Sequence, residues 1–121
     1  MSKLYFRYGA MSSGKSAALL QVAHNYEQKD MLVILIKPAI DTKAENKVSS
    51  RIGIEREVDI LLAATDRVMD RMEPVKPHAI IVDEAQFLTA AQVDELYVIT
   101  KKYDIPVLCY GLRCDFQMNP F

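Results

Sequence analysis

Gly9-Ala10-Met11-Ser12-Ser13-Gly14-Lys15-Ser16 satisfies the pattern G-x-x-x-x-G-K-[ST] in full. Its flanks supply the context that the pattern needs: a strand-like segment, Leu4-Tyr5-Phe6-Arg7-Tyr8, before it and a helical pattern from Lys15 to about Lys29 after it. The two glycines let the backbone bend so that successive N–H groups point inward at phosphate oxygens. The following helix adds its unpaired amides and its positive end. Lys15 supplies a mobile cation for the β and γ phosphates of a nucleoside triphosphate, and the Ser16 hydroxyl can ligate Mg²⁺. The bare pattern also arises by chance in glycine-containing turns, but rarely between a buried strand and an amphipathic helix. A nucleoside triphosphate and Mg²⁺ are therefore the expected cofactors.

Working outward, Leu19, Leu20, Ala23 and Tyr26 or Glu27 fall at helical spacing, and Ser12-Ser13 can cap the helix start. Leu32-Val33-Ile34-Leu35-Ile36 is a continuous apolar run, as a strand buried on both faces requires, and is expected to stop at Lys37-Pro38. From Asp41 to Gly53 the chain is polar without an apolar period, which predicts a loop. Asp66 to Met72 predicts a short helix with Val68, Met69 and Met72 inward, broken by Pro74 and Pro77. Ala79-Ile80-Ile81-Val82 is a third buried strand, ending in Asp83-Glu84. Thr89 then caps a helix from about Ala90 to Lys102, with Val93, Leu96, Tyr97 and Thr100 on one face. Pro106 to Tyr110 is a fourth strand, ended by Gly111. This alternation predicts one α/β domain over residues 1–121, a P-loop NTPase-like three-layer sandwich with a mainly parallel sheet. Ligands bind beyond the carboxyl ends of such strands, and Gly9, Pro38, Asp83 and Gly111 are all placed there.

Composition narrows the partners. Across 121 residues, 15 basic and 16 acidic side chains leave a formal charge of −1, so no global basic excess argues for nucleic acid. The start Met1-Ser2-Lys3-Leu4 has no leader pattern and no apolar run approaches the length of a membrane span, so a cytoplasmic protein without a membrane partner is expected. Cys109 and Cys114 are too few for a disulfide framework, and their spacing does not match a zinc ribbon. One core thiol and one loop thiol is the expectation.

A phosphate loop needs a carboxylate on a neighbouring strand to hold the metal's water shell, and Asp83 is the candidate. Glu84 either accepts a proton from an attacking hydroxyl or water, or is a solvated loop acid. Asp83-Glu84-Ala85-Gln86 also reads like the second motif of a helicase-type ATPase, in which the glutamate activates water. The four letters leave kinase and motor open. A motor pairs two such domains and brings arginines from the second. The expected single domain, without a late arginine cluster, makes a motor the runner-up.

Five ordered segments then carry a resemblance over essentially the whole chain: Gly9 to Ser16, Lys37-Pro38-Ala39-Ile40-Asp41, Val48-Ser49-Ser50-Arg51-Ile52-Gly53, Val82-Asp83-Glu84-Ala85-Gln86-Phe87-Leu88 and Tyr110-Gly111-Leu112-Arg113-Cys114-Asp115-Phe116. The sequence resembles the thymidine kinases related to the human cytosolic enzyme, with the Val48 segment similar to their bacterial branch. The resemblance implies transfer of the γ-phosphate of ATP, with Mg²⁺, to the 5′-hydroxyl of thymidine or deoxyuridine. It implies Glu84 as catalytic base, Lys15 and Ser16 in the phosphate and magnesium roles, and Asp83 supporting the metal. Asp41, Lys43 and Gln86 are implied on the nucleotide side. Phe87, Leu112, Phe116 and Phe121 match positions lining the nucleoside pocket, where a flat apolar wall suits a pyrimidine. Apart from the resemblance, Phe87 and Leu112 read equally well as core filling.

Three departures stand out. Lys43 replaces an arginine and so keeps the charge but loses the bidentate fork. Ala17 replaces a threonine often found after the loop serine. The sequence stops at Pro120-Phe121, before the family's further helices, four-ligand zinc site and base-gripping loop. The family zinc site is therefore expected to be absent, the nucleoside pocket to lack a wall and the sheet to lack strands on one side. A homo-oligomer is expected from the family, and a non-catalytic nucleotide-binding remnant is a further alternative.

Overall fold

Val33-Ile34-Leu35-Ile36 sends alternate side chains into two separate apolar layers, and both layers are filled. The computed structural model describes residues 3–9, 15–39, 47–49, 55–73 and 75–112. On one face of strand β2 (Val33–Pro38), Val33 and Leu35 pack with Leu19, Leu20 and Ala23 of helix α1 (Lys15–Gln28). On the other, Ile34 and Ile36 join Leu96 and Ile99 of α3 (Ala90–Tyr103) and Val68 and Met72 of α2 (Val68–Met72). Strand β6 (Ala79–Val82) divides the same way, with Ala79 and Ile81 toward α1 and Ile80 and Val82 toward α3. This two-sided burial is why these strands are continuous apolar runs rather than alternating ones. The result is the predicted three-layer α/β sandwich, with α1 on one face and α2 and α3 on the other.

The main sheet runs β1-β7-β6-β2-β5, with β1 at Leu4–Gly9, β5 at Ile60–Leu62 and β7 at Val107–Leu112, and every pairing is parallel. All its carboxyl ends therefore form one rim. Three sequence expectations are corrected. The sheet has a fifth strand, β5, which pairs Ile36, Lys37 and Pro38 with Ile60, Leu61 and Leu62. The stretch read as a loop over 41–53 contains β3 (Lys47–Ser49), which pairs antiparallel with β4 (Glu55–Glu57) and buries Val48 against the α1 layer. Gly111 does not end β7 but lies inside it, opposite Tyr8.

Lys37 and Pro38 are the last two residues of β2, which stops where expected. The β6 ladder alongside β2 stops at Ile36↔Val82, and the Asp83 N–H adds a last bond to the Ile36 carbonyl at 2.9 Å. Pro38 lies beyond that point, on the side where no partner requires an N–H, so the missing donor costs nothing. Before β5 begins, side chains replace a strand at the edge of β2. Asp59 Oδ2 accepts from the Leu35 N–H at 2.7 Å, and Arg56 Nη2 donates to the Val33 carbonyl at 3.3 Å.

The end of α1 and the start of α3 are closed locally. At the end of α1 the Met31 N–H reaches the Tyr26 carbonyl and the Asp30 N–H reaches that of Glu27, a Schellman closure with Asp30 at φ 57°. Thr89 caps α3 as expected, and Gln92 completes a capping box, with reciprocal bonds of 3.1 and 3.0 Å. The buried face of α3 differs from expectation: Ile99 is buried, whereas Tyr97 is 53 % exposed with Lys101 Nζ 5.4 Å from its ring centroid. A cation–π contact at the surface suits an aromatic ring that the core does not need.

Candidate functional site

The rim is assembled by strand register. Gly9 at the end of β1 is level with Leu112 of β7, and Val82, the last residue of β6, is level with Cys109. Asp83 and Glu84 thus emerge beside the last residues of β7. The sequence reading put the metal-side carboxylate on the strand next to the phosphate loop. The structure interposes β7, so β6 stands two strand spacings, about 10 Å, from β1. Helix α1 begins at Lys15, directly after the motif glycines, so its unpaired amides belong to the loop that follows β1.

Asp83 is buried, and its Oδ1 accepts from the Glu84 N–H at 2.9 Å. Anchoring one oxygen to the backbone fixes the carboxylate at the strand end. Hard oxygen donors of this kind suit Mg²⁺. No group of three or more His, Cys, Asp or Glu able to hold a metal by themselves occurs among the described residues. A metal here would accordingly take further oxygens from elsewhere, as Mg²⁺ does from phosphates and water.

Glu84 adopts φ 55°, ψ 42°, one of three non-glycine residues at positive φ among those described. Asp30 and Asp104 are the other two, both at helix ends and both of a residue type that tolerates this region. A glutamate there carries backbone strain without that local excuse, and strained residues collect at functional sites. The kink turns the chain off β6 into a single 3₁₀ turn, Ala85–Phe87, closed by the Phe87 N–H on the Glu84 carbonyl at 3.1 Å. The Glu84 carboxylate is then held from within the turn, its Oε2 accepting from Gln86 Nε2 at 3.0 Å.

The turn lies against Gly111. A Cβ at that position would collide with Gln86 Oε1 and come within 3.2 Å of the Gln86 nitrogen and 3.3 Å of the Ala85 nitrogen. The glycine is therefore required by close approach of the turn to the strand. Sequence reasoning missed this role; the available signal was a glycine directly after the apolar run of β7. Phe87, for which core filling was the rival reading, is 43 % exposed on the same turn, next to Glu84. Ala85 is buried in the α2/α3 layer and Leu88 packs against it, which ties the turn to the core.

The structure thus brings Asp83, Glu84, Gln86 and Phe87 together beside Gly111. Gly9 and the backbones of Lys15, Ser16 and Leu112 sit in the elements around the rim. Ala10, Met11, Ser12, Ser13, Gly14, Asp41, Lys43, Cys114, Phe116 and Phe121 lie outside the described residues. Cys109 is the expected core thiol: burial pushes it up to about 12, so it stays protonated and inert at the base of the site. A cleft of about 430 Å³ beside the end of β5 is lined by Asp66, Thr89, Gln92, Glu95 and their neighbours, and contains none of the expected site residues. No helix among the described residues is long and apolar enough to cross a membrane.

The family model described as thymidine kinase matches residues 2–121. Over the whole chain, the sequence is 45 % identical to a thymidine kinase of Pasteurella multocida, of which it covers 65 %, and 45 % identical to one of Rhodopirellula baltica, of which it covers 59 %. It is 47 % identical over 96 % of its length to a thymidine kinase of Vibrio cholerae, covering 62 % of that protein. The chain thus spans slightly less than two thirds of the length of these relatives. With a phosphate-loop motif between β1 and α1, a strained acidic turn at the end of β6 and this extent of identity, the chain belongs to the thymidine kinase family.

Proposed function

We propose that this chain carries the nucleotide-binding part of an ATP-dependent thymidine kinase, a cytoplasmic salvage enzyme that transfers the γ-phosphoryl group of ATP to the 5′-hydroxyl of thymidine or deoxyuridine. The observation that carries the reading is Glu84, held at positive φ one residue beyond the buried Asp83 at the rim of a parallel sheet. A carboxylate so placed can take the proton of an attacking hydroxyl, and the relatives named as thymidine kinases supply the acceptor class.

In this reading the loop Gly9 to Ser16 holds the phosphates, with Lys15 as the mobile cation. Ser16 and Asp83 hold Mg²⁺, which when bound neutralises charge on the phosphate oxygens. Asp41, Lys43 and Gln86 complete the nucleotide side. Phe87, Leu112, Phe116 and Phe121 form the apolar wall for the base. Glu84 accepts the 5′-hydroxyl proton as that oxygen attacks in line, and positioning supplies most of the rate. Self-association belongs to the same proposal. It is supported by the edge strand β1, which leaves Tyr5 and Phe6 43 % and 40 % exposed.

The test is a turnover assay with labelled ATP, Mg²⁺ and a panel of deoxynucleosides, with and without single-stranded nucleic acid. Thymidine monophosphate should form, and Glu84→Gln should reduce its rate by roughly 10²- to 10⁴-fold, the range for loss of a general base. Hydrolysis of ATP stimulated by nucleic acid, with no nucleoside phosphorylated, would replace the kinase with a motor. Binding of ATP without any turnover would leave a nucleotide-binding protein.

A further inference from the structure

We infer that Gln86 is a positioning residue: its side-chain amide holds the Glu84 carboxylate in place, and Gly111 is a glycine so that this amide can be there. The inference rests on the proposed role of Glu84 and gives Gln86 a different task from the nucleotide contact that the family resemblance implies.

Three observations converge. Gln86 is buried, 8 % exposed, on a turn of three residues, so its amide has little freedom. Its Nε2 donates to Glu84 Oε2 at 3.0 Å, a bond between residues two apart that the kink at Glu84 makes possible. Its Oε1 lies where a Cβ on Gly111 would be, so any other residue at 111 drives the amide away from its present orientation. A half-buried carboxylate on a strained turn would otherwise sample several rotamers. A donor fixed by burial restricts it, which is how a supporting residue keeps a reacting group in register.

Two variants separate the inference from a merely structural role. Gln86→Met keeps length and volume but removes both amide functions. It should lower kcat for thymidine phosphorylation about 10- to 100-fold, the cost of a small misplacement of a reacting group, with KM for ATP and thymidine within about twofold. Gly111→Ala should lower kcat in the same way. The double variant Gly111→Ala/Gln86→Ala should lose less than the product of the two single losses, because the side-chain clash is gone and only the tight contacts to the Gln86 and Ala85 backbone nitrogens remain. A wild-type kcat in Gln86→Met, or a raised KM for ATP with kcat unchanged, overturns the inference while leaving Glu84 as base. Full activity in Glu84→Gln instead removes the reading on which it rests. A measurement that needs no turnover is the Gln86 side-chain amide resonance in a ¹⁵N spectrum. It should shift when Glu84 is changed to Ala, and an unchanged resonance rejects the contact.

Discussion

Glu84 joins two costs that a purely structural residue would avoid, a backbone at φ 55° and a carboxylate held by a buried amide. The left-handed region costs a side chain with a Cβ about 1–2 kcal/mol, a penalty that glycine escapes. Glu84→Gly and Glu84→Ala both delete the carboxylate and its bond to Gln86, and differ only in that penalty. Glu84→Gly should therefore be the more stable of the two in urea unfolding by about 1 kcal/mol, while both lose turnover. Equal stabilities would show that the kink is not strained. The site was only partly legible in the sequence at this scale. Asp83 and Glu84 were marked by their place after an apolar run. Gly111 was read as a strand terminator, because the turn that presses on it comes from a segment more than twenty residues earlier in the chain.

Among the elements, α2 shows how strongly tertiary partners matter. It is five residues long, and Arg67 at its start offers no side-chain cap. Glu95 of α3 supplies the cap from outside, accepting from the Val68 and Met69 N–H groups at 2.7 and 3.0 Å. Glu95→Ala should destabilise the protein by about 1–3 kcal/mol by leaving these two amides without their acceptor, measured by urea unfolding, with Glu95→Gln intermediate. The loop leading into α2 is held by Gln92, whose Nε2 donates to the Ala63 and Asp66 carbonyls at 2.8 and 3.1 Å. Within the loop, the Ala63 N–H and then the Arg71 guanidinium hold the Asp66 carboxyl below its ordinary value of 3.8. A carboxyl lowered by folding adds stability that is complete above 3.8 and is lost as pH falls through its folded value. Asp66→Asn should therefore show a flatter loss of stability below about pH 4 than the parent, read from urea midpoints across that range. Apart from the Asp66–Arg71 pair, five residues apart, these contacts are not visible as a pattern along the chain, because each joins residues distant in sequence or depends on backbone groups.

At the scale of the whole molecule, stability rests on strands β2 and β6, whose residues are shared by both layers. Leu35 is fully buried between β2 and α1, and Leu35→Ala should cost about 2–5 kcal/mol. Val98, 54 % exposed on α3, should tolerate alanine within about 0.5 kcal/mol in the same measurement. Similar losses at both positions would mean that α3's outer face is covered.

The sequence by itself determined the phosphate-loop motif, the two-sided burial of β2 and β6, the capped start of α3 and the acidic end of β6. Each is a local pattern whose meaning follows from covalent geometry and hydrophobic period. Only the tertiary structure decided that β7 separates β1 from β6, that β5 extends the sheet and that β3 and β4 form a hairpin. Strands β3, β4 and β5 have three residues each, and strand order is set by which backbone groups remain unpaired once the layers have closed. The structure also decided that Ile99 rather than Tyr97 faces the core. It placed Gln86 between Glu84 and Gly111, a contact made by the folding of a turn onto a strand.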